Sequence, residues 1–226
     1  MSTSARHKPK LILASGSPRR RELIALTGWE VEVRPVDVDE SEIPDEAGIA
    51  LACRLAEEKA RQAARRFGDA FILAADTVVE SDGEILGKPS SSTEARDMLF
   101  KLRGKNHQVH TAIALVAPGK TDVHLDVCTT EVPMRAYNEE EVQSYVRTGS
   151  PLDKAGGYGI QDGNFDPVQV DQMTGCYANV VGLPICNLVR SMRKLGMEPV
   201  FDVPSRCQAQ TGYDCDVYPQ ILGIEK

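Results

Sequence analysis

An α/β fold built on a long mixed sheet is the architecture this sequence predicts, and three observations carry the prediction. Short apolar runs of strand character alternate with amphipathic helical stretches, the pattern of strands packed under helices. Two pairs of runs are joined by tight turns, at Ser81-Asp82-Gly83 and around Pro118-Gly119, so part of the sheet is antiparallel. The chain of 226 residues, 42% hydrophobic, is long enough for one ordinary domain, or one domain of two lobes.

The elements follow in order. Leu11 to Ala14 reads as a buried strand that ends in Ser-Gly-Ser-Pro. Ser17 before Pro18 is an N-cap followed by proline at the first helical position, so Arg19 to Thr27 is a helix, stopped by Gly28. Val31 and Val33 suggest a second strand, and an acidic loop follows from Asp37 to Glu42. Asp45 to Phe67 is the strongest helix, with Leu51, Ala52, Leu55, Ala56, Ala60 and Ala63 on one broad apolar arc. Phe71 to Val79 is a near-continuous apolar run, a strand buried on both faces, and Glu84 to Leu86 returns from it as a hairpin. Thr93 to Leu102 is a helix, Gln108 to Val116 and Val123 to Met134 are strands, and Glu139 to Arg147 is a short helix. The glycine-rich stretch Asp153 to Gln161 is a special loop, two short strands are expected after it, and Pro184 to Leu195 is a last helix. Three segments result: a flexible tail over 1–10, a domain over 11–199, and an extension over 200–226 that carries no clear period and reads as a tail.

Composition narrows the function classes. With a net charge of -7 and an aromatic content of 5%, the chain lacks both the basic footprint of a duplex binder and the stacking platforms of a single-strand binder. Polymeric nucleic acid is therefore a poor partner, whereas a small anion needs only a local cluster of Lys and Arg. No apolar stretch approaches the ~20 residues of a membrane span. The six cysteines contain no C-x-x-C pair and no signal peptide precedes them, so free thiols in a reducing cytoplasm are expected.

Four features carry chemistry. The strand-turn-helix Ser15-Gly16-Ser17-Pro18-Arg19-Arg20 offers free N–H groups, hydroxyls and guanidinium groups, an anion site by construction, though without the Walker A spacing. The same residues also suit a capped surface helix. Asp76, followed by Thr77, places a carboxylate inside a buried strand, where it must be paired, hydrogen-bonded or bound to metal. Asp39 and Glu40 could complete an oxygen-rich site for Mg²⁺ or stand as solvated charges. Lys59 falls near the middle of the apolar helical arc, so it either snorkels outward along its stem or points into a cleft. Lys88, fixed beside Pro89, is a candidate phosphate contact, and Gln161 could set an amide against a base edge. His107 and His110 read as strand residues.

Taken together these residues resemble the Maf family of nucleoside triphosphate pyrophosphatases. Seven stretches carry the likeness in the family's order: LASGSPRR at 13–20, RLAEEKA at 54–60, AADTVV at 74–79, LGKP at 86–89, HQVHTAIAL at 107–115, PLDKAGGYGIQ at 151–161 and NVVGLP at 179–184. The resemblance implies a Maf/ITPase-like α/β fold, with a long mixed β-sheet, flanking helices and two lobes around a central cleft. It implies cleavage between the α and β phosphates, with Asp76 as proton acceptor and Glu40, Lys59 and Lys88 as further catalytic residues. Ser15, Ser17 and Arg20 would bind phosphate, and Glu40 and Asp76 would hold a divalent cation, Mg²⁺ with Mn²⁺ or Co²⁺ as substitutes.

The resemblance also bears on substrate. Arg19, Thr77 and Gln161 match the residues of the dTTP/UTP pyrophosphatases, where the 7-methyl-GTP group carries tryptophan, glutamine and glutamate. Gln161 offers a donor and an acceptor to the O4/N3–H edge of thymine or uracil. Hydrolysis of 7-methyl-GTP or a non-standard purine triphosphate is the alternative, as is a non-catalytic nucleotide-binding regulator of cell division, for which Asp76 would be dispensable. A homodimer is the assembly left open. The chain departs from the family pattern at Asp162, over Phe165 to Gln172, and after Val200, where Cys207 and Cys215 lie.

Overall fold

The computed structural model describes residues 10–41 and 43–224. The expected tail over 1–10 thus lies, but for Lys10, outside the described residues, as do Glu42 of the acidic loop and the last two residues of the extension. Six strands form one mixed sheet: β1 (Leu11–Leu13), β2 (Val31–Val33), β3 (Phe71–Ser81), β4 (Glu84–Leu86), β5 (Asn106–Val116) and β6 (His124–Pro133). The order is β2-β1-β3-β5-β6. β1 is parallel to both β2 and β3, while β3, β5 and β6 form an antiparallel meander.

Helices α1 (Pro18–Ala25) and α2 (Gly48–Arg66) make the crossovers from β1 to β2 and from β2 to β3. β2 and β3 flank β1 on opposite sides, so β1 is where the strand order reverses, the position at which open α/β sheets bind ligands. The sheet also splits here. One edge of β3 is paired to β5 from Ile72 to Glu80, but on the other edge β1 pairs only with Phe71 to Leu73 and β4 only with Val79 to Ser81. Residues 74–78 face a gap between β1 and β4, and the gap is the floor of the cleft.

Strand periodicity sorts β3 onto two cores. Ile72, Ala74 and Val78 pack with Leu51, Leu55, Ala56 and Ala60 of α2. Leu73, Ala75 and Val79 belong to the larger core on the other face. That core is covered by α1, α3 (Ser92–Leu102), α4 (Glu139–Arg147), α5 (Tyr177–Val181) and α6 (Ile185–Lys194). α4 is closed by a full capping box between Asn138 and Glu141.

Three expectations are corrected. The long helix starts at Gly48, not Asp45, because Asp45 takes a left-handed φ of 62°. No side chain of the preceding Ala47 caps it; instead Glu80 on β3 accepts from the Gly48 N–H at 3.0 Å, so close that a Cβ at Gly48 would lie 2.5 Å from that carboxylate. The two strands expected after Gln161 do not form. Only single bridges join Glu131 to Thr174 and Met134 to Val168, since Pro167 lacks a donor and Gly175, at φ 129°, turns the chain against Thr130. The segment read as a tail is two helices, α7 (Val203–Thr211) and α8 (Tyr218–Leu222), which pack on the larger core. Asp202 caps α7, and the chain before it is anchored where Val200 donates to the Thr27 carbonyl at 2.8 Å and Trp29 Nε1 donates to Glu198 O at 2.7 Å. Phe201 and Val200 lie over Gly28, whose φ of 72° and lack of a Cβ make room for them.

Candidate active site

A cleft of about 670 Å³ opens over the gap in the sheet. Ten of the residues singled out by sequence line it: Ser15, Ser17, Arg19, Arg20, Glu40, Lys59, Asp76, Thr77, Lys88 and Gln161. Asp39 does not; its carboxylate turns back to accept from the Ser41 N–H at 3.0 Å and the Ser41 hydroxyl at 2.5 Å. Side-chain alternation along β3 divides the work. Asp76 sits between Ala74 and Val78 on the α2 face, and Thr77 emerges on the opposite face beside α1.

On the α2 face, Lys59 points into the cleft. Its Nζ donates to Asp76 Oδ1 at 2.6 Å and to Glu40 Oε1 at 2.6 Å. The Lys59 and Asp76 side chains are 11% and 13% exposed, so each charge is the other's replacement for water, while the Glu40 side chain is 53% exposed at the cleft mouth. Partial burial pushes the Glu40 pKa up, but the Lys59 hydrogen bond and the charges of Lys59, Lys88 and Arg20 outweigh it and hold the carboxyl below its ordinary value. Glu40 is therefore ionised at neutral pH.

On the α1 face, Arg20 is clamped from three directions. Its Nε donates to Gly182 O at 2.8 Å, one terminal nitrogen to Ser15 Oγ at 3.2 Å, and the other to Thr77 Oγ1 at 3.1 Å. Burial lowers its pKa, with Arg19 adding to the fall and Asp76 and Glu40 opposing it; a guanidinium starts high enough to stay charged. Ser17 Oγ caps α1 by accepting from Arg20 N–H at 3.4 Å, and Ser15 Oγ accepts from Ser17 N–H at 3.3 Å. Both hydroxyl protons remain to be donated, beside the free N–H groups of the helix start. The turn is thus a capped helix start whose hydroxyls, N–H groups and guanidinium remain able to meet an anion.

The far wall is the glycine-rich loop. Arg19 points away from the capped turn and pairs with Asp153 at 2.9 Å, and Thr77 Oγ1 is shared between Arg20 and Thr111 Oγ1 at 3.0 Å. Gln161 is exposed on the cleft rim, and so is Lys88 on the β4 side. Sequence reasoning did not pick out the groups that brace this loop. Lys154 Nζ donates to Ser150 O, Ser150 Oγ and Asp153 Oδ1 at 2.7–2.9 Å, and Asp162 accepts from Tyr145 OH at 2.5 Å and Ser150 Oγ at 2.7 Å. Ser150, Asp153, Lys154 and Asp162 lie within the single stretch 150–162, and only Tyr145 comes from a helix, α4.

Tyr158, also in the cleft wall, shares a 2.8 Å hydrogen bond with His107 Nε2. Burial pushes the His107 pKa down to about 4. Below its ordinary value of 6.5 the unfolded chain takes up a proton that the folded chain refuses until about pH 4. Stability is whole above pH 6.5 and is lost as pH falls through 4, by about 3 kcal/mol from this group. His110, also pushed down by burial against the pull of Glu80, adds to the loss. Thermal melts of the wild type should fall steeply from pH 7 to 4.5, and those of His107→Gln should be flatter.

The donor set fits a hard cation. Among the described residues no three His, Cys, Asp or Glu side chains gather as a ready-made metal cage. Two carboxylates, Glu40 and Asp76, lie on the same side of the cleft, each with one oxygen on the Lys59 ammonium and the other oxygen left for a cation. Mg²⁺ is held in that way, by one or two carboxylates with the remaining positions taken by water and substrate phosphate.

The sequence model of the Maf-like protein family matches residues 10–195. The chain belongs to the Maf family. Proteins named dTTP/UTP pyrophosphatase are among its relatives. One from Dehalococcoides mccartyi is 43% identical, covering 84% of each chain. One from Chlorobium phaeovibrioides is 42% identical, over 83% of this chain and 97% of that one. One from Geotalea uraniireducens is 43% identical, over 84% and 96%. A solved Staphylococcus aureus Ham1 protein is a remoter likeness, with 17% identity and a TM-score of 0.43 over 70% of this chain and 79% of that one, too slight to bear on function. The Maf match ends before α7, so Cys207 and Cys215 lie outside it.

Proposed function

We propose that the cleft hydrolyses a pyrimidine nucleoside triphosphate, dTTP or UTP, to the monophosphate and pyrophosphate. The observation that carries the reading is the carboxylate of Asp76, set in the gap of the sheet between Lys59 and the cations of the anion turn. The relatives named dTTP/UTP pyrophosphatase support the same substrate class.

In this reaction Asp76 accepts a proton from water as the water oxygen bonds to the α-phosphorus. The bond from that phosphorus to the bridging oxygen breaks, and its electron pair leaves with pyrophosphate. Ser15, Ser17 and Arg20 hold the phosphate chain through hydroxyls, helix N–H groups and a guanidinium whose orientation is fixed by Gly182 and Thr77. Lys59 and Lys88 offset the charge that builds on the leaving group. A divalent cation held by Glu40 and Asp76, Mg²⁺ by its donor set, supplies charge neutralisation at the phosphate oxygens when bound. Gln161 on the rim presents an amide to the pyrimidine edge, and the Arg19–Asp153 pair fixes the loop that carries it. The cytoplasm is the setting that six unpaired cysteines favour.

The test is a panel of triphosphates at equal concentration with Mg²⁺, assayed for pyrophosphate and for inorganic phosphate. dTTP and UTP should lead, with pyrophosphate as the product, and Gln161→Glu should lower their kcat/KM by about tenfold or more relative to wild type. Release of inorganic phosphate alone, or a preference for 7-methyl-GTP, would overturn the reading.

A further inference from the structure

A line of hydrogen bonds leads from the cleft into the core beneath it. Thr77 on β3 stands directly opposite Thr111 on β5 in the antiparallel register. Their hydroxyl oxygens are 3.0 Å apart. Thr111 Oγ1 lies in turn 3.1 Å from the backbone carbonyl of Asn179 in α5. Thr111 and Asn179 are both fully buried, and neither lines the cleft.

The protons give this line a direction. A threonine hydroxyl has one proton to donate. The Asn179 carbonyl can only accept, so the Thr111 proton goes there. The contact between the two threonines then takes the Thr77 proton. A guanidinium never accepts, so Thr77 Oγ1 receives the Arg20 N–H, at 3.1 Å, on a lone pair. The reverse order would leave the Thr111 and Asn179 oxygens facing each other at 3.1 Å in a buried place with no proton between them. The line therefore runs from Arg20 to Thr77 to Thr111 to the Asn179 carbonyl, with the guanidinium charge at its head polarising each bond. Toward a ligand in the cleft the Thr77 oxygen has no proton left, so it is no donor to a phosphate oxygen.

The end of the line is firmly held. The Asn179 side-chain amide donates to Val109 O on β5 at 2.9 Å and to Thr130 Oγ1 on β6 at 3.0 Å, which ties the short α5 to the sheet. The same Asn179 carbonyl accepts from the Gly182 N–H at 2.9 Å, closing the turn whose own carbonyl receives Arg20 Nε at 2.8 Å. Gly182 has a φ of 119°, and a Cβ there would lie 3.4 Å from Thr77 Oγ1. Of the three acceptors on the guanidinium, two thus trace back to one carbonyl.

We propose that Thr111 is a positioning residue for Arg20. It never meets the substrate. By taking the Thr77 proton it keeps a Thr77 lone pair aimed at the guanidinium, which leaves Arg20 set toward the anion before the anion arrives. Arg20 acts on phosphates, which every nucleoside triphosphate shares, so Thr111 governs how tightly the phosphate chain is held and leaves the choice of base to other groups. This kinetic role rests on the proposed hydrolysis; the hold on Arg20 does not.

Nitrogen-15 NMR of the full chain reads that hold directly. A guanidinium bound at Nε and at both terminal nitrogens turns slowly, so Arg20 should give separate terminal-nitrogen signals, identified by their loss in Arg20→Lys. Thr111→Val keeps the side-chain shape and removes the hydroxyl. It should merge the two signals, weaken inorganic pyrophosphate binding in a calorimetric titration by about tenfold, and lower kcat/KM by about the same factor, chiefly through KM, for every triphosphate that the wild type hydrolyses. Thr111→Ser, which restores the hydroxyl, should recover the separate signals and most of the loss. In a Thr77→Val background, Thr111→Val should cost little more, because the line is already cut. Merged Arg20 signals in the wild type would overturn the proposal whether or not a variant folds. So would wild-type signals and affinity in Thr111→Val, a loss that Thr111→Ser does not recover, or a change in the order of substrates. A chain that hydrolyses no triphosphate, yet shows the separate signals and loses them with its pyrophosphate affinity in Thr111→Val, would sink the proposed reaction and uphold the positioning of Arg20.

Discussion

Asp76→Asn should lower kcat by about 10³-fold and shift Tm by no more than a few degrees. The change keeps the shape of the side chain and removes its negative charge, and with it the ability to take a proton and the ion pair with Lys59. The fold has little reason to suffer. Asp76 lies at the gap in the sheet, where neither β1 nor β4 reaches, and its neighbours Ala74 and Val78 supply the packing against α2. Lys59 keeps Glu40 as a partner at 2.6 Å. Steady-state rates for pyrophosphate release, paired with a thermal melt, separate the two effects. A variant that folds and retains the full rate would place the base elsewhere.

Lys59→Met should be nearly as damaging to turnover, by about 10²-fold or more, and for a different reason. Methionine matches the stem on the apolar arc of α2, so Leu55, Ala56 and Ala63 stay covered. What disappears is the ammonium between Asp76 and Glu40, and the two carboxylates then face each other without a cation. The Lys59 hydrogen bond is the largest influence holding the Glu40 pKa down, so Glu40 should titrate at higher pH and the acid limb of the rate profile should move up. The fold should lose roughly 2 kcal/mol, or about 4–8 °C in Tm at this chain length. Lys59→Arg restores charge but not the compact ammonium that fits between two carboxylates, and should rescue stability more than rate. If Lys59→Met leaves both the rate and its pH profile unchanged, the lysine is a structural counter-ion only.

Local patterns made much of the architecture legible. The apolar period of α2, the cap and proline of α1 and the Asn138–Glu141 box of α4 are short-range signals, complete within a few residues. The segment Val203 to Thr211 carries the same kind of local signal, the Asp202 cap with Pro204 in the first turn and Gly212 at the end, but its apolar stripe is weak and its packing on the core is long-range. The stretch after Gln161 looks like strand by residue type but is pinned instead by long-range bridges to β6.

By itself the sequence determined which chemical groups were present and on which face of its own element each would lie. Alternation along β3 puts Asp76 and Thr77 on opposite faces, and the helical wheel puts Lys59 among alanines and leucines. Only the tertiary structure decided what those faces meet. Strand pairing between Leu11 and Phe71 is set across 60 residues, and it is the shortness of β1 and β4 against β3 that opens the gap beneath the cleft. The same long-range packing turned Lys59 inward to two carboxylates and brought Cys207 and Cys215 onto Cys176 and Cys186. Spacing along a chain fixes directions within an element, but contacts between elements depend on how whole faces are buried together.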